Sequence, residues 1–209
     1  GLKIPYLQVS DSALALAHLS ADFYGHPSAS MLMIGVTRTS GKTTTTYLIE
    51  SILKAAGHQV GVLGTVNFRY GSTLIPSTHT TPGPVELQAL LAQMKAAGCT
   101  AIVMEVSSHA LKQKRAHGVA FDGMVFTNLS PEHLDFHPDM EDYYQSKALL
   151  FTELSAFSVH QGKSPVAAIN ASDPYGSRLI SELTSHLKSH SDLSVASFAG
   201  SQEIGRAHV

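Results

Sequence analysis

One segment limits the fold more than any other: Met31-Leu-Met-Ile-Gly-Val-Thr-Arg38-Thr39-Ser40-Gly41-Lys42-Thr43-Thr44. An apolar run stops, a short polar loop follows, and Gly-Lys-Thr opens a helical stretch. That order is the plan of a phosphate-binding loop. A helix start presents unpaired backbone N–H groups and the positive end of its dipole to an anion. Lys42 adds a mobile cation for the outer phosphates, and the Thr43 hydroxyl is placed to hold magnesium. The usual pattern has glycine four residues before Gly-Lys. Here Val36 stands there, with Gly35 beside it. The bland reading is a strand–turn–helix with a solvated lysine, and the strand before and helix after favour the phosphate reading.

The rest of the chain alternates in the same way. Apolar, β-rich runs are expected as strands at 31–36, 59–65, 100–106, 123–128, 165–170 and 194–199. Helices are expected at 12–24, 44–56 (ending at Gly57), 85–97 (after Pro84, before Gly98), 142–154 and 174–187. Such alternation predicts an α/β fold: a mostly parallel sheet flanked by helices, with ligands gathered at the carboxyl ends of the strands. Residues 66–82 lack a clear period, and Tyr70-Gly71-Ser72 marks a turn of a small hairpin within a long functional loop.

Composition excludes several classes. A net charge of −2 in 209 residues argues against general affinity for nucleic acid or an anionic membrane. The single Cys99 rules out a disulfide framework within the chain; it lies in an apolar run and reads as a buried thiol, as suits a reducing, cytoplasmic setting. No apolar run reaches membrane-spanning length.

Several side chains stand just past strand ends. Glu105 closes the apolar run 101–104 and precedes Val-Ser107-Ser108-His109. It reads as a magnesium carboxylate opposite the phosphate loop or as a carboxylate at a helix start capped by Ser107 or Ser108; the phosphate loop favours metal. In Asn128-Leu-Ser-Pro-Glu132-His133-Leu-Asp135-Phe-His137, groups able to ligate metal crowd a short loop, or cap neighbouring helices. Gln113 and Arg115 are either a clamp for an anionic substrate or part of a solvated helix face. By periodicity Lys147 is an ordinary amphipathic lysine.

Taken in series these motifs resemble the Mur ligases, most closely the branch that adds the third residue to the peptide of the peptidoglycan precursor. The resemblance runs in order through Gly41-Lys-Thr-Thr44, Thr80-Thr81-Pro82, Glu105-Val-Ser-Ser-His-Ala-Leu-x-Gln113-x-Arg115, Phe121-Asp122, Phe126-Thr-Asn-Leu-Ser130, His133-Leu-Asp135, Met140-Glu-x-Tyr143, Lys147 and Asn170-x-x-Asp173-Pro. It covers roughly residues 12 to 188. It implies a P-loop central domain and ATP-dependent amide-bond formation through an acyl phosphate, with ATP and Mg2+ bound. By position, Arg38, Thr39, Ser40, Gly41, Lys42, Thr43 and Thr44 would bind ATP. Thr43 and Glu105 would hold one magnesium. His133 and Lys147, the latter carboxylated at Nζ, would hold a second with Glu105. His79, Thr80, Thr81, Ser107, Gln113 and Arg115 would bind UDP-MurNAc-dipeptide. Lys42, Lys147 and His133 are the implied catalytic set. Carboxylation requires a neutral amine, hence a pKa lowered by burial or nearby cations.

Three departures stand out: Arg38 replaces a loop glycine, Ser40 an asparagine, and His79 the asparagine before the threonine pair. Arg38 either adds charge or blocks the pocket. The resemblance further implies that residues 1–30 are the remnant of an N-terminal UDP-binding domain and linker, that 31–209 are an incomplete central domain, and that the C-terminal domain selecting the amino acid is absent. The expected partners are small molecules (ATP, UDP-MurNAc-dipeptide, an amino acid), with no nucleic acid, no membrane insertion and a monomeric state. The competing readings are an inactive nucleotide- or precursor-binding module and a ligase of the folylpolyglutamate or cyanophycin type.

Overall fold

The computed structural model describes residues 8–190, 193–199 and 202–207. The strand remnant expected at the extreme amino end falls on residues 1–7, outside the described residues.

Among the described residues nine strands form one sheet: β1 (Leu32–Thr37), β2 (Val60–Leu63), β3 (Asn67–Tyr70), β4 (Thr73–Pro76), β5 (Ala101–Glu105), β6 (Gly123–Phe126), β7 (Val166–Asn170), β8 (Ser194–Ala199) and β9 (Gln202–Ala207). Their order is β4-β3-β2-β5-β1-β6-β7-β8-β9. The pairs from β2 through β8 are parallel, and antiparallel β3–β4 and β9 finish the two edges. Among the described residues seven α-helices accompany the sheet: α1 (Ser12–Phe23), α2 (Lys42–Ala55), α3 (Pro84–Ala96), α4 (Ser108–Lys112), α5 (Met140–Ala148), α6 (Glu153–His160) and α7 (Pro174–His190). The predicted mostly parallel α/β sheet is therefore the observed one.

The central strands read as continuous apolar runs because both faces are covered. All five residues of β5 are buried. One face packs Leu87, Leu91 and Met94 of α3 with Met33, Ile102, Phe121, Phe126 and Phe151. The other packs Val36, Val62 and Val103 under Ile49 and Leu53 of α2. Helix α1 is capped by Asp11, whose Oδ1 accepts from the Leu14 amide at 2.9 Å. It packs against α3 and buries Ala17 and Ala21.

One expectation needs correction. The single helix expected over 142–154 is two helices. At Leu150 and Phe151 the amides bond back three residues, to Lys147 and Ala148. The tightened turn buries both side chains, and core packing there outweighs helix continuity. Gln202–Ala207, for which no element was expected, form β9 against β8. The hairpin inferred at Gly71 is present: Tyr70 pairs with Thr73, and Gly71 has a φ of 53°, as a two-residue turn requires.

The hairpin is clamped to α2. The buried Glu50 carboxylate accepts from Lys54 at 2.8 Å and is paired with the Arg69 guanidinium, which also lies 4.2 Å from the Tyr47 ring centroid. Burial alone would raise the Glu50 pKa, but the hydrogen bonds from Arg69 and Lys54 outweigh it and hold the pKa below its ordinary value. Because that pKa is depressed, the stabilisation is complete above the unfolded carboxylate pKa of about 4.3 and is lost as pH falls through the folded value. Glu50→Gln is expected to cost about 1–2 kcal/mol at pH 7. Its denaturation midpoint should approach that of the parent below pH 4; a constant gap down to acid pH would contradict the clamp.

A candidate nucleotide and substrate site at the carboxyl edge of the sheet

Strand β1 lies between β5 and β6, with Val36 opposite Glu105 and Thr37 opposite Phe126. The loops leaving these three strands therefore meet at one edge. The loop after β1 turns into α2 at Gly41, whose φ of 86° suits glycine. Helix α2 has no side-chain cap, and Thr45 is the residue whose amide reaches back to the Gly41 carbonyl. The amides of Lys42, Thr43 and Thr44 precede that first bond and point out of the helix start, as an anion cradle requires.

Thr39 behaves differently from the expectation. Its amide donates to the Asn128 carbonyl at 3.2 Å, and its hydroxyl accepts from the Ser130 amide at 3.0 Å and meets Tyr143 Oη at 3.3 Å. The Ser40 amide points to Asn128 Oδ1 at 3.4 Å. Both residues brace the loop against the segment after β6, so the cradle's free donors lie further along, at Lys42–Thr44.

Two lysines converge on one carbonyl oxygen. Lys42 Nζ donates to Arg38 O at 2.9 Å and to Thr39 O at 3.1 Å, and Lys147 Nζ donates to Arg38 O at 3.2 Å. Lys147 is 1% exposed and sits 4.7 Å from the Tyr143 ring centroid. Burial, aided by the Lys42 charge, pushes its pKa well below the usual lysine value. Burial also lowers the Lys42 pKa. An amphipathic surface lysine, the reading from periodicity, is thus corrected to a buried one with a neutral-prone amine.

Glu105 is 1% exposed, and both its oxygens are held by hydroxyls: Thr43 at 2.9 Å and Thr65 at 2.7 Å. A Cβ on Gly64 would come within 2.7 Å of Glu105 Oε1, so only glycine leaves the carboxylate its place. A buried carboxylate met by neutral hydroxyls, one of them on the phosphate loop, is a hard oxygen donor set that fits a divalent cation. The second proposed metal set joins Glu105 and His133 to Lys147. Among the described residues no three His, Cys, Asp or Glu side chains lie close enough to hold a metal. His133 has a φ of 58° and stands beside His109 and Tyr143, at ring-centroid distances of 4.9 and 6.0 Å. Asp135 is exposed, and His137 is buried and engaged by Asp142 at 2.6 Å and Ser108 at 2.9 Å, so it ties the loop to α4 and α5.

Lys42 and His133 share a cleft of about 370 Å3 with His79, Thr80, Thr81, Ser107 and Arg115. Residues far apart in sequence that were assigned to substrate therefore line the same cleft as the phosphate-loop lysine. Gln113 joins through a hydrogen bond to the Arg115 guanidinium. Thr81 is buried and engaged on both sides: its hydroxyl donates to Glu105 O at 2.9 Å and accepts from the Ser107 amide at 3.1 Å. It aligns its segment with β5 and has no hydroxyl proton left to donate. Ser107 likewise caps α4, accepting from the Ala110 amide. Thr65 and His109, which also line the cleft, were missed. Thr65 was read as the last residue of the expected strand 59–65, which ends at Leu63, and His109 belongs to a motif read for its serines.

A phosphate loop facing a buried carboxylate across the middle of a parallel sheet defines a P-loop nucleotide-binding α/β domain. The chain belongs to the Mur ligase family: the family model for the Mur ligase middle domain matches residues 36–207. A curated relative from Geobacter sulfurreducens, UDP-N-acetylmuramoyl-L-alanyl-D-glutamate--2,6-diaminopimelate ligase, is 51% identical over 177 residues, covering 84% of this chain and 34% of its own length. The enzyme of that name from Streptomyces coelicolor is 48% identical over 87% of this chain and 34% of its own. A solved structure with that name superposes with a TM-score of 0.78 at 27% identity, over 94% of this chain and 38% of its own. The Escherichia coli FolC structure in complex with DHPP and ADP shares the fold at 20% identity and a TM-score of 0.60, over 98% of this chain and 52% of its own. The chain spans about a third of the length of the curated relatives it matches.

Proposed function

We propose that this chain supplies the ATP-binding and phosphoryl-transfer portion of a ligase that adds the third amino acid to UDP-MurNAc-L-Ala-D-Glu. The relatives' names point to 2,6-diaminopimelate as that amino acid. The carrying observation is the shared cleft, in which Lys42 faces the segment 77–81, Ser107 and Arg115. The terminal carboxylate of the precursor attacks the γ-phosphorus of ATP, releasing ADP and leaving an acyl phosphate. The amine of the incoming amino acid then attacks that acyl carbon and expels inorganic phosphate. Lys42 and the amides of Lys42–Thr44 spread the charge developing on the transferred phosphoryl group. Arg115 and Gln113 orient the anionic precursor. Thr43 and Glu105 would hold Mg2+, which supplies charge neutralisation at the phosphates. Lys147 meets the precondition for carboxylation at Nζ, and with His133 and Glu105 it would complete the second metal set. In this reading residues 1–30 belong to a UDP-binding domain and its linker, and the protein is a cytoplasmic monomer. Among the described residues no helix is long and apolar enough to cross a membrane.

Calorimetric titration of the chain with ATP in the presence and absence of Mg2+ tests this reading. Saturable, Mg2+-dependent binding is expected, and Glu105→Gln should weaken it about 100-fold by removing the carboxylate charge from the cation site. Heat of binding that ignores both Mg2+ and Glu105→Gln would refute the metal assignment; no binding at all would refute the nucleotide assignment. The higher identity and TM-score of the muramyl-ligase structure favour that branch over the folate-type ligases.

A further inference from the structure

Arg38 is the chain's own departure within the phosphate loop, and its placement is unusual. The guanidinium lies against Gly41, where a Cβ would collide with it. Nη1 donates to Thr45 Oγ1 at 2.6 Å, while Nε is buried with no hydrogen-bond partner. Among the described residues no carboxylate pairs with it. It therefore rests over the first turn of α2, at the positive end of that helix, with Lys42 and Lys147 gathered on its own carbonyl. A cation at a helix start is electrostatically unfavourable, and the neighbouring Lys42 ammonium adds to the cost. Burial lowers the Arg38 pKa. A neutral hydroxyl is a weak anchor for such a group, and a buried unpaired N–H is a further penalty. An anion in the cradle would remove all three penalties together.

We propose that Arg38 is an additional phosphate ligand: its guanidinium rests on Gly41 and Thr45 and swings to pair with the polyphosphate when nucleotide binds. This rests on the nucleotide reading of the site. The exchange replaces a hydroxyl bond with charge-assisted bonds to phosphate oxygens, which are roughly twice as strong. Lys42 alone would suffice for a common phosphate loop; here a second mobile cation reaches the same anion from within the loop.

The proposal predicts opposite effects for two variants in calorimetric titrations of the chain with ATP·Mg2+, ADP·Mg2+ and inorganic tripolyphosphate. Arg38→Gly removes the ligand and is expected to weaken ATP and tripolyphosphate binding about tenfold, with Arg38→Lys recovering part of the loss. Thr45→Val removes only the resting anchor and is expected to tighten both about two- to fivefold. In 15N-arginine spectra, the Nε–H signal absent from Arg38→Gly should move on adding ATP, as an unpaired N–H finds an acceptor. Binding by Arg38→Gly as tight as that of the parent, or tighter, would overturn the proposal and mark the guanidinium as a spectator or a plug, leaving the nucleotide reading intact. Binding by neither protein would overturn both.

Discussion

Lys42→Ala is expected to weaken ATP·Mg2+ binding about 100-fold and, in a ligase of the relatives' full length carrying this segment, to lower turnover about a thousandfold further. The ammonium is the group free to leave the loop carbonyls and follow the outer phosphates. Its present acceptors, Arg38 O and Thr39 O, are neutral, whereas phosphate oxygens carry charge and bind it more strongly. Stability should change little, because Arg38 O keeps its bond from Lys147. Calorimetry and a phosphate-release assay measure the two effects. Turnover within tenfold of the parent would remove Lys42 from the machinery and leave the loop as ancestry.

Lys147→Met should separate stability from function. The side chain is 1% exposed and its Nζ makes one hydrogen bond, to a carbonyl that Lys42 also serves. Methionine fills a similar volume without an ammonium to desolvate, so the variant is expected to be about 1–3 kcal/mol more stable at pH 7. The Lys147 pKa is depressed in the folded protein, so the unfolded chain holds the proton more tightly. The parent therefore gains stability as pH climbs from the folded value towards 10.5, and the advantage of Lys147→Met should shrink over that window. Turnover in the full ligase should fall at least a thousandfold, because no carboxylated amine can form. Denaturant titrations at pH 7 and pH 10, paired with the phosphate-release assay, report all three outcomes. A variant that is less stable at pH 7, or one that still turns over, would remove the rationale for burying a lysine there.

Much of this could be read before the fold was known, for identifiable reasons. The strand–loop–helix from Met31 to Ala55 carries its own punctuation, a glycine before a helix and an apolar run before the loop, and it fell where expected. The position of Glu105 opposite the loop was also legible, because an acidic residue ending an apolar strand has few structural uses. Lys147 was invisible to periodicity. Its burial is decided by α5 packing beneath the phosphate loop, a contact between residues 38 and 147 that no local pattern encodes. The internal use of Thr39 and Thr81 was hidden for a related reason: a threonine in a motif looks the same whether its hydroxyl faces a ligand or a neighbouring strand. The break at Leu150 was missed because Leu150 and Phe151 each fit the helical period, and no local signal marked the tightened turn.

The placing of β1 between β5 and β6 governs when this protein can become competent during synthesis. The phosphate loop leaves the ribosome before its partners, and its strand has no neighbours until Glu105 and then Phe126 have followed. Parallel pairing of this kind forms slowly, since its partners are remote in the chain. The nascent loop must therefore wait, uncradled, for residues made long after it.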